Sequence, residues 1–376
     1  MTKLLLLLLL LLYSCGPTVS TEYRSAKTYV SSQNNYAKAI STAKDGIKAN
    51  PNDALLAYFL ATNIYSAPNS PMKNYKKAAE YFELAIQMDG RTEEDQILAR
   101  PESVINKDGK QIKITTVKEA VAHYRYIIWV ELYNGSVALL DEGKKLQAIS
   151  NLETAILIDP TNSLTYNFLS RIFFESNRFD EAIENADKAL KIDNTISDLF
   201  ILKGQIADAQ GEQENVEKFY EEAYKTAKLN NESKEKIISF QAALFDVYYT
   251  NKSYEKAIKI NQELINGDPE NVTLWSNAGA LYQNMLLEEE AYAAELFLKI
   301  NDLPRADLEL LIFIYENCIS YAEQARTQFI MCNQLELNED EAKNYLNEAQ
   351  ELKQRRNDLR SQIRKIEKRI KEMESE

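Results

Sequence analysis

Between residues 129 and 230 large apolar, small and polar positions alternate in a pattern that returns about every 34 residues. Leu132, Ser136, Leu139, Ala148, Leu152, Ala155 and Pro160 form the first copy. Tyr166, Ser170, Phe173, Ala182, Ala186, Ala189 and Asn194 repeat those offsets, and so do Phe200, Gly204, Ala207, Val216, Tyr220, Ala223 and Lys228. Tyr166, Leu169 and Phe173 are three and four residues apart and share one helical face. Ala182, Ala186 and Ala189 form a second face, with a turn at Asn177-Arg178 between the two. Ser170 and Ala182 are small where the paired helices cross closely, and Pro160 ends one pair before the next begins. A single pair cannot bury its own apolar face, so the pattern predicts stacked pairs, a helical solenoid.

These offsets resemble the tetratricopeptide repeat. Weaker copies extend the resemblance in both directions. Tyr23, Val30, Ala39, Ala43, Gly46 and Pro51 mark a first copy. Ala57, Ala61, Ile64, Ala78, Phe82 and Ala85 mark a second, with a proline-containing loop at 66–71. A sixth shows Leu244, Phe245, Tyr248, Ala257, Leu264 and Pro269; a seventh shows Trp275, Ala278, Gly279, Tyr282 and Ala291. The expected fold class is therefore all-α: a solenoid of this repeat type with a C-terminal capping helix and a long charged helix. The expected organisation is repeats 1–2 over 20–92, an insertion with loop and helix over 93–128, repeats 3–5 over 129–230, and a spacer with repeats 6–7 over 231–305. A capping helix at 306–338 and a coiled-coil-like helix at 339–376 follow.

The insertion breaks the pattern. Residues 106–110 carry a turn signal, residues 111–114 suit a short strand, and Thr116 with Glu119 suits a helix start that runs through Trp129. Both a disordered surface loop and a functional loop fit this stretch. In the last helix Leu352, Leu359, Ile363, Ile366, Ile370 and Met373 follow coiled-coil spacing, interrupted by Arg356. Its basic run, 353–371, suits either an anionic partner or a solvated face flanking an apolar seam. Cys318 and Cys332 are about 21 Å apart along one helix, too far for a disulfide, and are expected in the packing.

Composition narrows the function. The 376 residues include only 10 Gly and 8 Pro, as a nearly all-helical protein would, and the net charge of −13 argues against nucleic acid as a partner. Residues 4–12 are an unbroken leucine run, too short to span a bilayer but suited to a signal peptide over 1–14. The run ends in Leu12-Tyr13-Ser14-Cys15, which resembles the lipobox of bacterial lipoproteins. The resemblance implies cleavage before Cys15, lipidation of Cys15, a tether over 15–19 and anchoring in the bacterial envelope; Gly16 favours the outer membrane. An ordinary secretory signal with a chance cysteine is the plainer reading.

No catalytic constellation is legible. His123 stands alone, and there is no Gly-rich phosphate loop, CxxC or HExxH, so no catalytic residue, metal or cofactor is expected. What remains is binding. In the family the first helix of each pair lines a concave groove. The matching offsets here are Tyr133, Asn167, Arg171, Gln205, Asp208, Asp246, Tyr249, Ser276 and Gln283. The resemblance implies a membrane-anchored scaffold that holds a protein or peptide in that groove. The alternative is a structural assembly subunit that acts through its C-terminal helix as a homo-oligomer.

Overall fold

The computed structural model describes residues 19–90, 96–106 and 109–375. Among them are fifteen α-helices and one two-stranded sheet, an all-α repeat fold. The expected signal peptide, Cys15 and most of the expected tether lie outside the described residues. The chain divides into two compact units, Met1–Asp193 and Asn194–Glu376.

Turns inside the pairs share one device. Asn34, Gly143, Asn177, Gly211 and Lys252 all have φ between 51° and 75° and stand at one repeat offset. That left-handed conformation reverses the chain between two antiparallel helices, and glycine and asparagine adopt it at least cost. Starts are capped by side chains that accept a backbone N–H: Ser20 from Tyr23, Asn74 from Lys77, Asn162 from Leu164, Ser233 from Lys236 and Asn271 from Thr273.

The first unit begins with α1 (Thr21–Ser31) and α2 (Tyr36–Ala49), paired over Ala39 and Ala43, both fully buried. Next comes α3 (Ala54–Phe59), which continues as a π-helical segment (Leu60–Tyr65), and then α4 (Tyr75–Asp89). The described residues of the insertion include a hairpin. Strands β1 (Ile97–Ile105) and β2 (Gln111–Thr116) pair antiparallel, Val104 opposite Ile112, with an irregularity between Ile97 and Glu102. Leu98 and Ile114 enter the core, and Gln96 fastens the hairpin by accepting from Ala54 N at 2.9 Å and donating its own N–H to Asp89 at 2.6 Å. A capping box at Thr116 and Glu119 then starts α5 (Val117–Asp141), which runs unbroken through Trp129. Pairs α5 with α6 (Lys145–Ile158) and α7 (Ser163–Phe174) with α8 (Phe179–Ile192) complete the unit.

The second unit holds α9 (Ser197–Ala209), α10 (Gln213–Leu229), α11 (Lys234–Thr250) and α12 (Tyr254–Gly267) in two pairs. The seventh copy departs from expectation. Residues 272–297 are one continuous helix, α13 (Val272–Phe297), so Ala291 lies on the same helix as Trp275 and is exposed rather than buried in a second helix. Its partner is α14 (Arg305–Leu335), whose Phe329 fills the space that Gly279 leaves. The 306–338 helix is therefore the second member of the last pair, and α15 (Glu339–Ser375) is the element that covers it. Leu352, Leu359 and Ile366 of α15 are buried in the same core as Leu308, Leu311 and Cys318. The seam expected to form a coiled coil is thus closed by the unit's own helices.

Its basic residues are used the same way. Arg355 meets Glu290 at 2.7 Å and Arg356 meets Glu323 at 3.2 Å, and Glu374 at the far end of α15 meets Arg305 of α14 at 2.8 Å. Cys318 and Cys332 are free and fully buried, and burial pushes their thiols up to about 12 and about 11.

Candidate functional site

In the first unit, the spacing of α5 and α7 brings three expected residues together. A run of rings lies along these helices: Tyr126 to Trp129 at 6.0 Å, Trp129 to Tyr133 at 5.1 Å, and Tyr133 to Phe168 at 5.2 Å. The indole N–H of Trp129 donates to the buried Thr165 hydroxyl at 2.7 Å, which fixes the ring and the register of the two helices. Tyr133 and Asn167 are half-buried and Arg171 is exposed. Burial raises the Tyr133 hydroxyl above its ordinary value, and the nearby Arg171 charge pulls it down. Neither the Asn167 amide nor the Arg171 guanidinium has a hydrogen-bond or ion-pair partner among the described residues. The arrangement presents a free cation and a free amide beside an aromatic surface, which suits a carboxylate next to an apolar group.

The second unit gives a mixed result for the others. Gln205 and Asp208 are exposed on α9, and Asp246 is exposed on α11. Asp208 and Asp246 both act on Tyr220, whose hydroxyl is raised first by burial and then by those two charges. Partial burial also raises the Asp246 carboxyl. Tyr220 occupies this place because Gly204 leaves room: a Cβ there would lie 2.6 Å from the Tyr220 ring. The Tyr249 hydroxyl accepts from the Asn284 amide at 2.9 Å, and its ring stacks on Phe245. Ser276 is half-buried and stands apart from these contacts. The Gln283 amide donates to Glu348 of α15 at 3.5 Å, so the covering helix stands beside this position.

Other candidates are structural. His123 is half-buried, edge-on to Tyr124 at 5.7 Å. Among the described residues no group of His, Cys, Asp and Glu is arranged to hold a metal ion, and no helix is long and apolar enough to cross a membrane.

One feature escaped the sequence reading. A cavity of about 530 Å³ opens between α11, the end of α12 and the start of α13. Its apolar lining is Ile237, Ile238, Ala242, Leu264 and Leu274, with Gln241 and Glu263 among its polar groups. Leu132, Tyr166, Phe200 and Trp275 hold the offset that Gln241 holds in the sixth copy. A polar residue at a position filled elsewhere by a bulky apolar one was the available signal.

Residues 164–196 match the family model described as tetratricopeptide repeat. No curated protein matches the chain in sequence. Among solved structures, PilF of Pseudomonas aeruginosa is 14% identical, with a TM-score of 0.35, covering 65% of this chain and 98% of its own. A tetratricopeptide repeat protein from Parabacteroides merdae is 11% identical, with a TM-score of 0.29, covering 88% of this chain and 100% of its own. YrrB, described as having an unusual peptide-binding site, is 12% identical, with a TM-score of 0.30, covering 54% of this chain and 91% of its own.

Proposed function

We propose that the chain, whose residues 164–196 match the tetratricopeptide repeat, is a scaffold that holds a protein or peptide partner on the face of its first helices. The observation that carries this is the free Arg171 and Asn167 pair beside Tyr133 and Phe168. Packing does not explain them, since Tyr166, Leu169 and Phe173 already fill the core side of α7. An acidic side chain or a chain terminus is the ligand group that such a pair recognises.

The test is the double variant Asn167→Ala, Arg171→Ala, used with wild type as bait on native membranes. Changes at surface positions without packing partners alter stability by under about 0.5 kcal/mol each, whereas a lost charged contact costs about 2–5 kcal/mol of binding. The variant is expected to melt like wild type and to lose the partner that wild type retains. Equal recovery of that partner by both proteins would sink the proposal. Deleting α15 is not a usable comparison, because it would uncover the apolar face that Leu352, Leu359 and Ile366 fill.

We further propose that the scaffold is tethered through lipidated Cys15 at the bacterial envelope, on the outer membrane. The support is the sequence motif that ends at Cys15. Several acyl chains on one cysteine make a lasting anchor, at about 0.8 kcal/mol per buried methylene. Cys15→Ser is expected to leave the membrane fraction or to stall unprocessed. A variant that is processed and fractionates like wild type would remove the anchor. Assembly through α15 is the weaker reading, because its apolar seam is already buried within the unit.

A further inference from the structure

The cavity beside α11 carries chemistry that the groove reading does not use. Gln241 is only 7% exposed and lines the cavity. Its amide nitrogen donates to the Tyr224 hydroxyl at 3.1 Å and to Glu263 Oε2 at 3.2 Å. Its amide oxygen has no partner among the described residues. Glu263 is similarly half-used. The Tyr224 hydroxyl donates to its Oε2 at 2.6 Å, and Lys228 Nζ lies 3.7 Å from the same atom. Oε1 is left without a partner among the described residues. The Tyr224 hydroxyl above all, then Lys228 and Gln241, hold this carboxyl below its ordinary value, so it is charged at neutral pH.

Two unused acceptors, one of them charged, therefore stand on the wall of an apolar cavity. Both oxygens remain open to solvent at the cavity, so a ligand can donate to them while covering the apolar wall. The rim adds Asp268, with Lys234 opposing it, while Glu232 is already paired with Lys236 at 2.7 Å. Lys228 already approaches Glu263 Oε2, and Lys234 opposes Asp268, so the preference for a cation rests on the open Oε1 of Glu263 beside Gln241 Oε1 rather than on net charge.

We propose that this cavity receives a lysine or arginine side chain of the partner protein. The aliphatic stem lies against Ile237, Ile238, Ala242, Leu264 and Leu274. The cationic head donates to Gln241 Oε1 and Glu263 Oε1. Long basic side chains suit such a site because the stem is apolar while the head demands acceptors. A cavity of about 530 Å³ is more than one four-carbon stem fills, which leaves room for the neighbouring side chain of the partner. The inference rests on the scaffold reading only in taking the ligand to be a protein. The residues differ from those of the Arg171 site.

The experiment uses the purified chain and three short probes: acetyl-Leu-Lys-Leu-amide and its analogues with norleucine or glutamate in the centre. Binding is followed by ligand-observed NMR. The lysine probe is expected to bind at least tenfold tighter than the norleucine probe, and the glutamate probe not measurably. Glu263→Gln, which keeps the side-chain shape at an accessible position, should reduce the lysine probe to the norleucine level. Gln241→Leu, which restores an apolar residue at the packing offset, should weaken both. Asp302→Asn, an exposed charge change outside the cavity lining, should leave the lysine preference intact. Equal binding of lysine and norleucine probes, a preference that survives Glu263→Gln, a preference lost with Asp302→Asn, or no binding of any probe would each overturn the assignment. The Asn167→Ala, Arg171→Ala protein is expected to bind the lysine probe normally, so failure here and failure at the first-unit site remain separate results.

Discussion

Gly279 offers the sharpest test of how the last pair is packed. A Cβ added there would lie 2.8 Å from Cε1 and Cζ of Phe329 and 3.1 Å from Cδ1. Comfortable carbon contacts are at about 3.5–4.0 Å, so the ring would have to retreat. It has little room to do so: Phe329 is 5% exposed and stacks on Tyr345 of α15 at 6.3 Å between centroids. Overpacking of this kind costs about 1–3 kcal/mol, and Gly→Ala within a helix returns about 1 kcal/mol. Gly279→Ala should therefore lose about 0–2 kcal/mol. Gly135, inside α5, supplies the contrast. The nearest atom to its added Cβ is the end of the Asn151 side chain at 3.4 Å, so Gly135→Ala should gain up to about 1 kcal/mol. Thermal unfolding followed by far-UV circular dichroism, at about 2–4 °C per kcal/mol for units of this size, separates the two variants. The double variant Gly279→Ala, Phe329→Leu should recover part of the loss, because the two sites couple through one contact. If Gly279→Ala melts at or above wild type, or if Phe329→Leu brings no recovery, the packing argument is wrong.

Three further outcomes follow from the same contacts. Ala182 is fully buried between α7 and α8, so Ala182→Leu should cost about 1–3 kcal/mol in chemical denaturation. The backbone N–H groups of Thr115 and Thr116 hold the Glu119 carboxyl below its ordinary value. Because that folded-state value is lowered, the carboxylate's contribution at the hairpin–helix junction is present at neutral pH and fades as pH falls below the usual carboxylate range. Loss of protection at the Thr115 and Thr116 amides on acidification, measured against the intrinsic exchange rate at each pH, would show this, and Glu119→Gln should remove the dependence. Finally, burial raises both Cys318 and Cys332, so in the Cys15→Ser variant neither thiol should react with a disulfide reagent at mildly alkaline pH until the protein unfolds.

The helical pairs were legible because their determinants are local and periodic. Small residues at fixed offsets, such as Ser170 and Ala182, force close crossings wherever they recur, and both are fully buried. The seventh copy carries only part of the repeat pattern. Trp275, Gly279 and Tyr282 match first-helix offsets, but Leu286 stands where Gly143, Asn177 and Gly211 make their turns. A buried leucine does not adopt the left-handed conformation cheaply, so the helix runs on to Phe297. Strand β1 was hidden by Pro101, which reads as a breaker; the strand pairing is irregular between Ile97 and Glu102, the interval that contains it. The coiled-coil seam on α15 was real in the sequence, but a seam says only that an apolar face needs a partner. It cannot say that α13 and α14 of the same unit provide one.

The candidate sites divide along the same line. Offsets alone placed Tyr133, Asn167 and Arg171 on one face, because neighbouring first helices repeat their geometry every pair. Offsets do not reveal the surroundings of Gln283, which include Glu348, 65 residues away. The cavity was half-legible. Gln241 breaks the packing pattern within its own copy, which marks a place where a bulky apolar side chain is missing. Why that gap is chemically useful needs Tyr224 and Glu263, 17 and 22 residues from Gln241, and only the fold sets all three within hydrogen-bonding distance. A packing residue turned polar is ordinarily a cost to stability. Here its nitrogen is paired within the fold, while its oxygen is left open at the cavity, where a donor can reach it. That asymmetry is the physical reason to seek a ligand at Gln241 rather than to read it as a tolerated defect.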